Sequence, residues 1–308
     1  MKYHNPIITG FHPDPSVCRV GNDFYLVNSS FEYFPGIPIY HSTDLTHWEQ
    51  IGHVLDRKNQ LKLVSGAPNC LGIYAPTIRY HEGIFYCIVT NVGGRSGGNF
   101  FVYTTDPYGR WSNPVKLPFA GIDPSLFFDE DGRIYYTGTD TGIYIAEITF
   151  DVVRNDTPKR NELPVSIQNV KCGEKHYIWN GSGGNNPEGP HLYRIHDMYY
   201  LMIAEGGTEY CHMVTIARSK NVYGPYEACP HNPVLSNRST CLNIKAIGHA
   251  DLVEDSQGSW WAVCLGIRPL GYPFRHNLGR ETMLAPVKWE NGWPVMGDNG
   301  TVTETFEV

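Results

Sequence analysis

Four ionisable residues, Asp14, Asp123, Glu188 and His249, stand in near-identical sequence settings although they span most of the chain. Asp14-Pro15-Ser16 leads to Gly21-Asn22-Asp23 and then Phe24-Tyr25-Leu26. Asp123-Pro124-Ser125 leads to Asp131-Gly132 and Ile134-Tyr135-Tyr136. Glu188-Gly189-Pro190 precedes His196-Asp197 and Met198-Tyr199-Tyr200, and His249-Ala250-Asp251 precedes Gln257-Gly258-Ser259-Trp260-Trp261. A fifth copy, Ala75-Pro76-Thr77 before Glu82-Gly83-Ile84-Phe85-Tyr86, has alanine at its head. Carboxyl groups crowded into one place repel each other, so at least one holds its proton to higher pH. Such a split supplies an ionised base beside a protonated acid near neutral pH. Taken singly, each residue is better explained as turn chemistry, because X-Pro pairs and Pro/Gly clusters are ordinary turn sequences. Their equivalence under the repeat reverses that weighting: heads kept for structure alone would be alike, and these are chemically divergent and mostly ionisable.

Every copy reads as a head residue, a strand, a tight turn with Gly or Asp, and a second strand opening on aromatics. Recurrence at positions 14, 75, 123, 188 and 249 marks a repeat architecture. No amphipathic helical run interrupts it, so the expectation is an all-β fold, a five-bladed β-propeller of four-stranded blades. The heads then begin the innermost strands and converge near one end of the axis. The expected extent is one propeller catalytic domain over residues 1–308, with the tail 298–308 as the place where a further C-terminal domain would begin. A second recurring unit carries a strand to a Ser/Thr/Asp turn and an aromatic: Trp48, Trp111 and Tyr226. Packing against the blade edge explains these better than ligand binding. The polar stretch Arg154 to Glu174 reads as a long loop. The loop Gly93-Gly94-Arg95-Ser96-Gly97-Gly98-Asn99 is no phosphate cradle, since it precedes a strand and lacks Gly-Lys-Ser/Thr.

A net charge of −7 with no Lys/Arg run argues against a nucleic-acid partner, and no apolar span approaches the length of a membrane helix. The N-terminal Met1-Lys2-Tyr3-His4-Asn5-Pro6 shows no apolar signal region, which predicts a cytoplasmic protein. Eight scattered cysteines without a CxxC pair argue against zinc or a redox motif. Cys87 and Cys264, set in apolar stretches, read as small core residues.

An acid and a base facing each other across a propeller mouth are what glycosidic bond cleavage requires. The inverting form of that reaction needs carboxyls roughly 6.5–9.5 Å apart, with a water between base and sugar. Phe31 and Tyr74 offer apolar faces for a sugar ring. His12-Pro13-Asp14-Pro15-Ser16, Tyr74-Ala75-Pro76-Thr77-Ile78-Arg79, Ile122-Asp123-Pro124-Ser125, Pro187-Glu188-Gly189-Pro190-His191 and Gly248-His249-Ala250-Asp251 together resemble glycoside hydrolase family 43, most of all its β-xylosidases. The likeness runs from about residue 4 to 296.

That resemblance implies an inverting mechanism with Asp14 as general base, Glu188 as general acid, and Asp123 raising the acid's pKa and holding it in place. It implies Phe31, Tyr74, Ala75, Ile122, Thr208, His249 and Arg280 as substrate-contacting residues. Arg280 has a plainer reading as an ordinary ion-pair partner of Glu281 or another acid. His249 has three readings: a satisfied core histidine, a ligand-facing group, or a seat for calcium (Ca2+) at the propeller axis. The reaction itself requires no cofactor. Tyr74 departs from the tryptophan expected there in the xylosidases, and the family's larger β-xylosidases carry a C-terminal β-sandwich not found in this sequence.

The leading expectation is release of xylose from β-1,4-xylo-oligosaccharides. The alternatives are an α-L-arabinofuranosidase or bifunctional enzyme, and a non-catalytic sugar-binding propeller. Fructan-acting propellers, which retain configuration, are a distant option. The expected partner is a small oligosaccharide, with no nucleic acid and no membrane; a homo-oligomer is left open.

Overall fold

The computed structural model describes residues 2–62, 68–93, 97–271 and 273–307, so residues 94–96 of the Gly-rich loop lie outside the described residues. Five antiparallel sheets follow one another along the chain in a five-bladed β-propeller. Their innermost strands are Ser16–Val20, Thr77–His81, Ile122–Phe128, Glu188–Ile195 and Lys245–Glu254. Blade one runs outward through Asp23–Val27, Gly36–Ser42 and Glu49–Leu55, and the other blades repeat this up-and-down order. Among the described residues there is no helix, and hence none long and apolar enough to cross a membrane.

Strand side chains alternate between the two faces of a sheet, and in a propeller both faces meet a neighbouring blade. The sequence obeys this. Phe24 and Leu26 pack in one apolar cluster with blades four and five, whereas Tyr25 and Val27 pack in another with blade two. Tyr136 joins Tyr86 and Phe101 between blades two and three, and its neighbour Tyr135 joins Leu192 and Leu201 between blades three and four. Trp111 is buried in the second of these cores, and Trp48 packs against the first while its indole N–H donates to the Leu45 carbonyl. Cys87 and Cys264 are fully buried free thiols.

The stretch 154–174 corrects the loop expectation. Ile143–Arg154 continues as a long strand and pairs with Val165–Cys172, so the expectation fails for residues 165–172, while 155–164 and 173–174 are irregular as expected. The exposed side chains of Val165–Cys172, which are Gln168, Asn169 and Lys171, are polar because this pair forms the exposed outer edge of blade three, and polarity there masks the strand signal.

The chain ends close the ring. Lys2–His4 pairs with Thr305–Glu307, and Ile8 bridges to Thr282 of blade five. Asn5 accepts from the Leu284 N–H at 2.8 Å and donates to the carbonyls of Leu284 at 2.9 Å and Thr303 at 3.0 Å. The Tyr3 hydroxyl donates to the same Leu284 carbonyl at 3.0 Å. These bonds tie the first residues to the last blade.

Candidate active site

Each innermost strand begins with an interruption of its ladder. Pairing with the second strand skips Asp123-Pro124 between Ile122 and Ser125, skips Gly189-Pro190 between Glu188 and His191, and skips His249-Ala250 between Gly248 and Asp251. In blade two, residues 74–76 separate Gly72–Ile73 from Thr77–His81, and both short strands pair with Ile84–Val92. In blade one the ladder starts at Ser16, just after Asp14-Pro15. A bulge of this kind re-aims a side chain and lets proline sit in a sheet without wasting a donor. The backbone bears it out: Asp14, Asp123 and His249 have φ of 53°, 53° and 47°. Left-handed backbone is uncommon for side chains other than Gly, Asn or Asp, and it swings these heads toward the mouth of the axis.

Blade four departs from the sequence frame by one residue. There the left-handed position is Gly189, with φ of 59°, and Glu188 lies one residue earlier, still paired with Ala204. Glycine is required at 189, because an added Cβ would come within 2.9 Å of the His249 ring. The Gly189 N–H donates to Asp123 Oδ2 at 3.1 Å. Asp123 therefore holds the backbone immediately beside Glu188.

All ten residues named from the sequence line one cavity of about 320 Å³: Asp14, Phe31, Tyr74, Ala75, Ile122, Asp123, Glu188, Thr208, His249 and Arg280. Ser29 donates to Asp14 Oδ2 at 2.5 Å, and Arg280 Nη1 donates to Asp14 Oδ1 at 3.1 Å and to the Thr208 hydroxyl at 2.9 Å. Arg280 is thus not the partner of Glu281, whose buried carboxylate is held in a two-pronged grip by Arg268. The rings of Phe31 and Tyr74 meet at 5.4 Å, and the Arg280 guanidinium lies over Phe31.

The carboxyls are pushed in opposite directions. Burial alone would raise Asp14, but the Arg280 guanidinium and then the Ser29 hydroxyl outweigh it and hold the carboxyl below its usual range. Glu188 is pushed up to about 7, by burial first and then by the negative charge of Asp14, against a smaller downward pull from Arg280. Asp123 is raised well above the ordinary carboxylate range by burial, then by Glu188 and Asp14. Near neutral pH the pocket holds an ionised Asp14 facing carboxyls that retain protons.

Beneath the heads lies a second tier, two residues along the inner strand in four blades and three in blade four: Ser16, Thr77, Ser125, His191 and Asp251, all buried. Asp251 accepts from Ser16 at 2.6 Å, from Arg79 at 2.7 and 3.0 Å, and from the Tyr193 hydroxyl at 2.6 Å. Arg79 also donates to His191 Nδ1 at 3.0 Å. This network ties blades one, two, four and five across the axis.

The calcium reading of His249 finds little support in these donors. Burial keeps the His249 ring neutral, its Nδ1 lies 4.0 Å from Asp14, and the ring packs against Gly189. Below it, His191 accepts the Arg79 N–H at Nδ1, so its Nε2 carries the hydrogen and presents a donor, the reverse of what a cation needs. Among the described residues no group of three or more His, Cys, Asp or Glu is placed to hold a metal. Calcium takes six or more oxygen ligands, and these residues do not fit it.

Sequence reasoning missed Ser29, Gly189, Cys70 and His212. Cys70 and His212 line the same cavity. Ser29 carried a faint signal, lying just past the second strand of the first repeat. His212, a lone histidine before a strand, carried none.

The family model for glycosyl hydrolases family 43 matches residues 3–294. A non-reducing end α-L-arabinofuranosidase from Bacteroides ovatus is 50% identical over 99% of this chain and 55% of its own length. A xylosidase/arabinosidase from Butyrivibrio fibrisolvens is 47% identical over 99% of this chain and 58% of its own. The solved structure of a xylan β-1,4-xylosidase from Bacillus halodurans C-125 superposes with a TM-score of 0.85 at 37% identity, covering 99% of this chain and 59% of that one. The chain thus spans a little over half the length of the relatives it matches.

Proposed function

Because the chain belongs to glycosyl hydrolases family 43, we propose that its pocket hydrolyses terminal pentosides with inversion, releasing β-linked xylose from the non-reducing end of xylo-oligosaccharides. One observation carries this reading: a single cavity holds Asp14 below its usual range and Glu188 at about 7. Asp14 accepts a proton from a water as its oxygen attacks the anomeric carbon. Glu188 delivers its proton to the glycosidic oxygen as the carbon–oxygen bond breaks on the opposite face. Water is consumed, a sugar of inverted configuration and a shortened alcohol leave, and the two carboxyls regain their starting states through solvent.

Asp123 acts as a positioning residue, through the Gly189 N–H beside the acid. Phe31 and Tyr74 form the apolar platform, while Arg280 and Thr208 present polar groups to the sugar hydroxyls. A cavity of about 320 Å³ is at the small end for ligand sites and suits one sugar unit, which favours exo action. The chemistry proposed runs on these side chains without a cofactor.

A second reading, release of α-L-arabinofuranose, is favoured by the name of the relative that shares 50% identity with this chain, while the name of the 47% identical one carries both activities. The test is hydrolysis of xylobiose and of an aryl α-L-arabinofuranoside followed by proton NMR, with Asp14→Ala and Glu188→Ala alongside. Early appearance of α-xylose, lost in both variants, is the expected result. Inverted arabinose without xylose selects the second reading. Turnover of neither substrate, or product of retained configuration, overturns both.

A further inference from the structure

His212 lines the catalytic cavity but has no part in the chemistry above. Its ring lies face-on against Gly248, where an added Cβ would sit 2.4 Å from the ring carbons. Its Nδ1 lies 3.2 Å from the Ala246 carbonyl oxygen, which can only accept, so Nδ1 carries the hydrogen. Burial, helped by the neighbouring His249, pushes the group down to about 3, so the ring stays neutral across the working pH range. The lone pair is therefore on Nε2. That atom is buried and has no hydrogen-bond partner, in a residue 1% exposed.

Buried polar atoms are rarely left unpaired in folded proteins, and one in a residue that lines a binding cavity points to a partner that enters the cavity. Within the pocket, Asp14 is an acceptor, Arg280 Nη1 is already engaged by Asp14 and Thr208, and the protonated carboxyls of Asp123 and Glu188 make no bond to His212 Nε2. A sugar hydroxyl is a donor of the kind this acceptor can take. We propose that His212 is a specificity-determining residue whose Nε2 accepts a hydrogen bond from one hydroxyl of the sugar bound in the catalytic cavity. This inference rests on the glycosidase reading. It has a chemical consequence: a terminal sugar whose hydroxyl at that position is missing, or capped by an acyl group, cannot donate and is rejected.

The test compares an aryl β-D-xylopyranoside with its 2-, 3- and 4-deoxy forms, and an aryl α-L-arabinofuranoside with its 2-, 3- and 5-deoxy forms, on the wild type, His212→Asn and His212→Gln. Asparagine keeps an N–H near the position of Nδ1 and deletes Nε2, whereas the glutamine amide reaches toward the Nε2 position. In the wild type, one deoxy substrate is expected to lose roughly 10- to 100-fold in kcat/KM. His212→Asn lowers the parent by a similar factor and leaves that deoxy substrate nearly unchanged. His212→Gln recovers part of the loss, which a merely structural role does not predict. A common loss across all substrates, or no loss, in natively folded His212→Asn overturns the inference. Should His212→Asn fail to fold, His212→Gln decides: retained discrimination against the one deoxy sugar supports the inference, and uniform rates overturn it. Wild-type turnover of the two parent glycosides is the separate check, because its absence sinks the glycosidase reading itself and the inference with it.

Discussion

Replacing Glu188 by glutamine separates acid catalysis from every other contribution of the pocket. The substitution keeps the size and hydrogen-bonding reach of the side chain and removes the transferable proton. Glu188 titrates at about 7 rather than its ordinary 4.5. At pH 6 such a carboxyl is about 90% protonated, against about 3% for an unperturbed one, so the environment supplies the acid form about thirtyfold more often. A positioned general acid typically contributes roughly 10²- to 10⁴-fold. We expect Glu188→Gln to lose a factor in that range on xylobiose, whose leaving alcohol needs a proton. On a 2,4-dinitrophenyl glycoside of the same sugar, whose leaving group departs unprotonated, the loss should be less than about tenfold, since only acid assistance has been removed. The assay is kcat/KM against pH for both substrates. On xylobiose the wild type is expected to fall about tenfold per pH unit above about 7, as Glu188 loses its proton, and to fall again on the acid side as Asp14 gains one. That alkaline limb should vanish for Glu188→Gln on the activated substrate, with the acid limb retained. Equal losses on both substrates, or an alkaline limb that survives the substitution, would refute the assignment of Glu188 as the acid.

The same raised pKa has a signature in stability. Folded Glu188 binds its proton more tightly than the unfolded chain does, so its contribution is complete below about pH 4.5 and is lost as pH rises through about 7. The difference amounts to about 3 kcal/mol, and urea unfolding of Glu188→Gln should lack this decline between pH 5 and 8, relative to wild type. On the axis, Arg79→Met strands the fully buried Asp251 carboxylate and should cost about 3–5 kcal/mol in urea unfolding. Adding Asp251→Asn should return part of that loss, whereas strictly additive losses would show that the pair is not coupled.

The blade count and the meeting of Asp14, Asp123, Glu188 and His249 were legible in the sequence, because a radial repeat turns recurrence along the chain into convergence in space. The alternating apolar faces were legible for the same reason: strand periodicity is local, and every blade restates it. Other features depend on contacts between blades and left no local trace. Glu188 sits one residue off the frame because Gly189, not Glu188, takes the left-handed backbone at the bulge beside His249. The outer pair of blade three reads as a loop, since an exposed edge needs no apolar alternation. Asp251 finds Arg79 across the axis from 172 residues away, and neither residue announces the other. The repeat thus determined that Asp14, Asp123, Glu188 and His249 meet at the mouth of the propeller. Only the tertiary structure decided their protonation, since the opposite shifts of Asp14 and Glu188 arise from burial and from the charge of Arg280, which enters the pocket from the last blade.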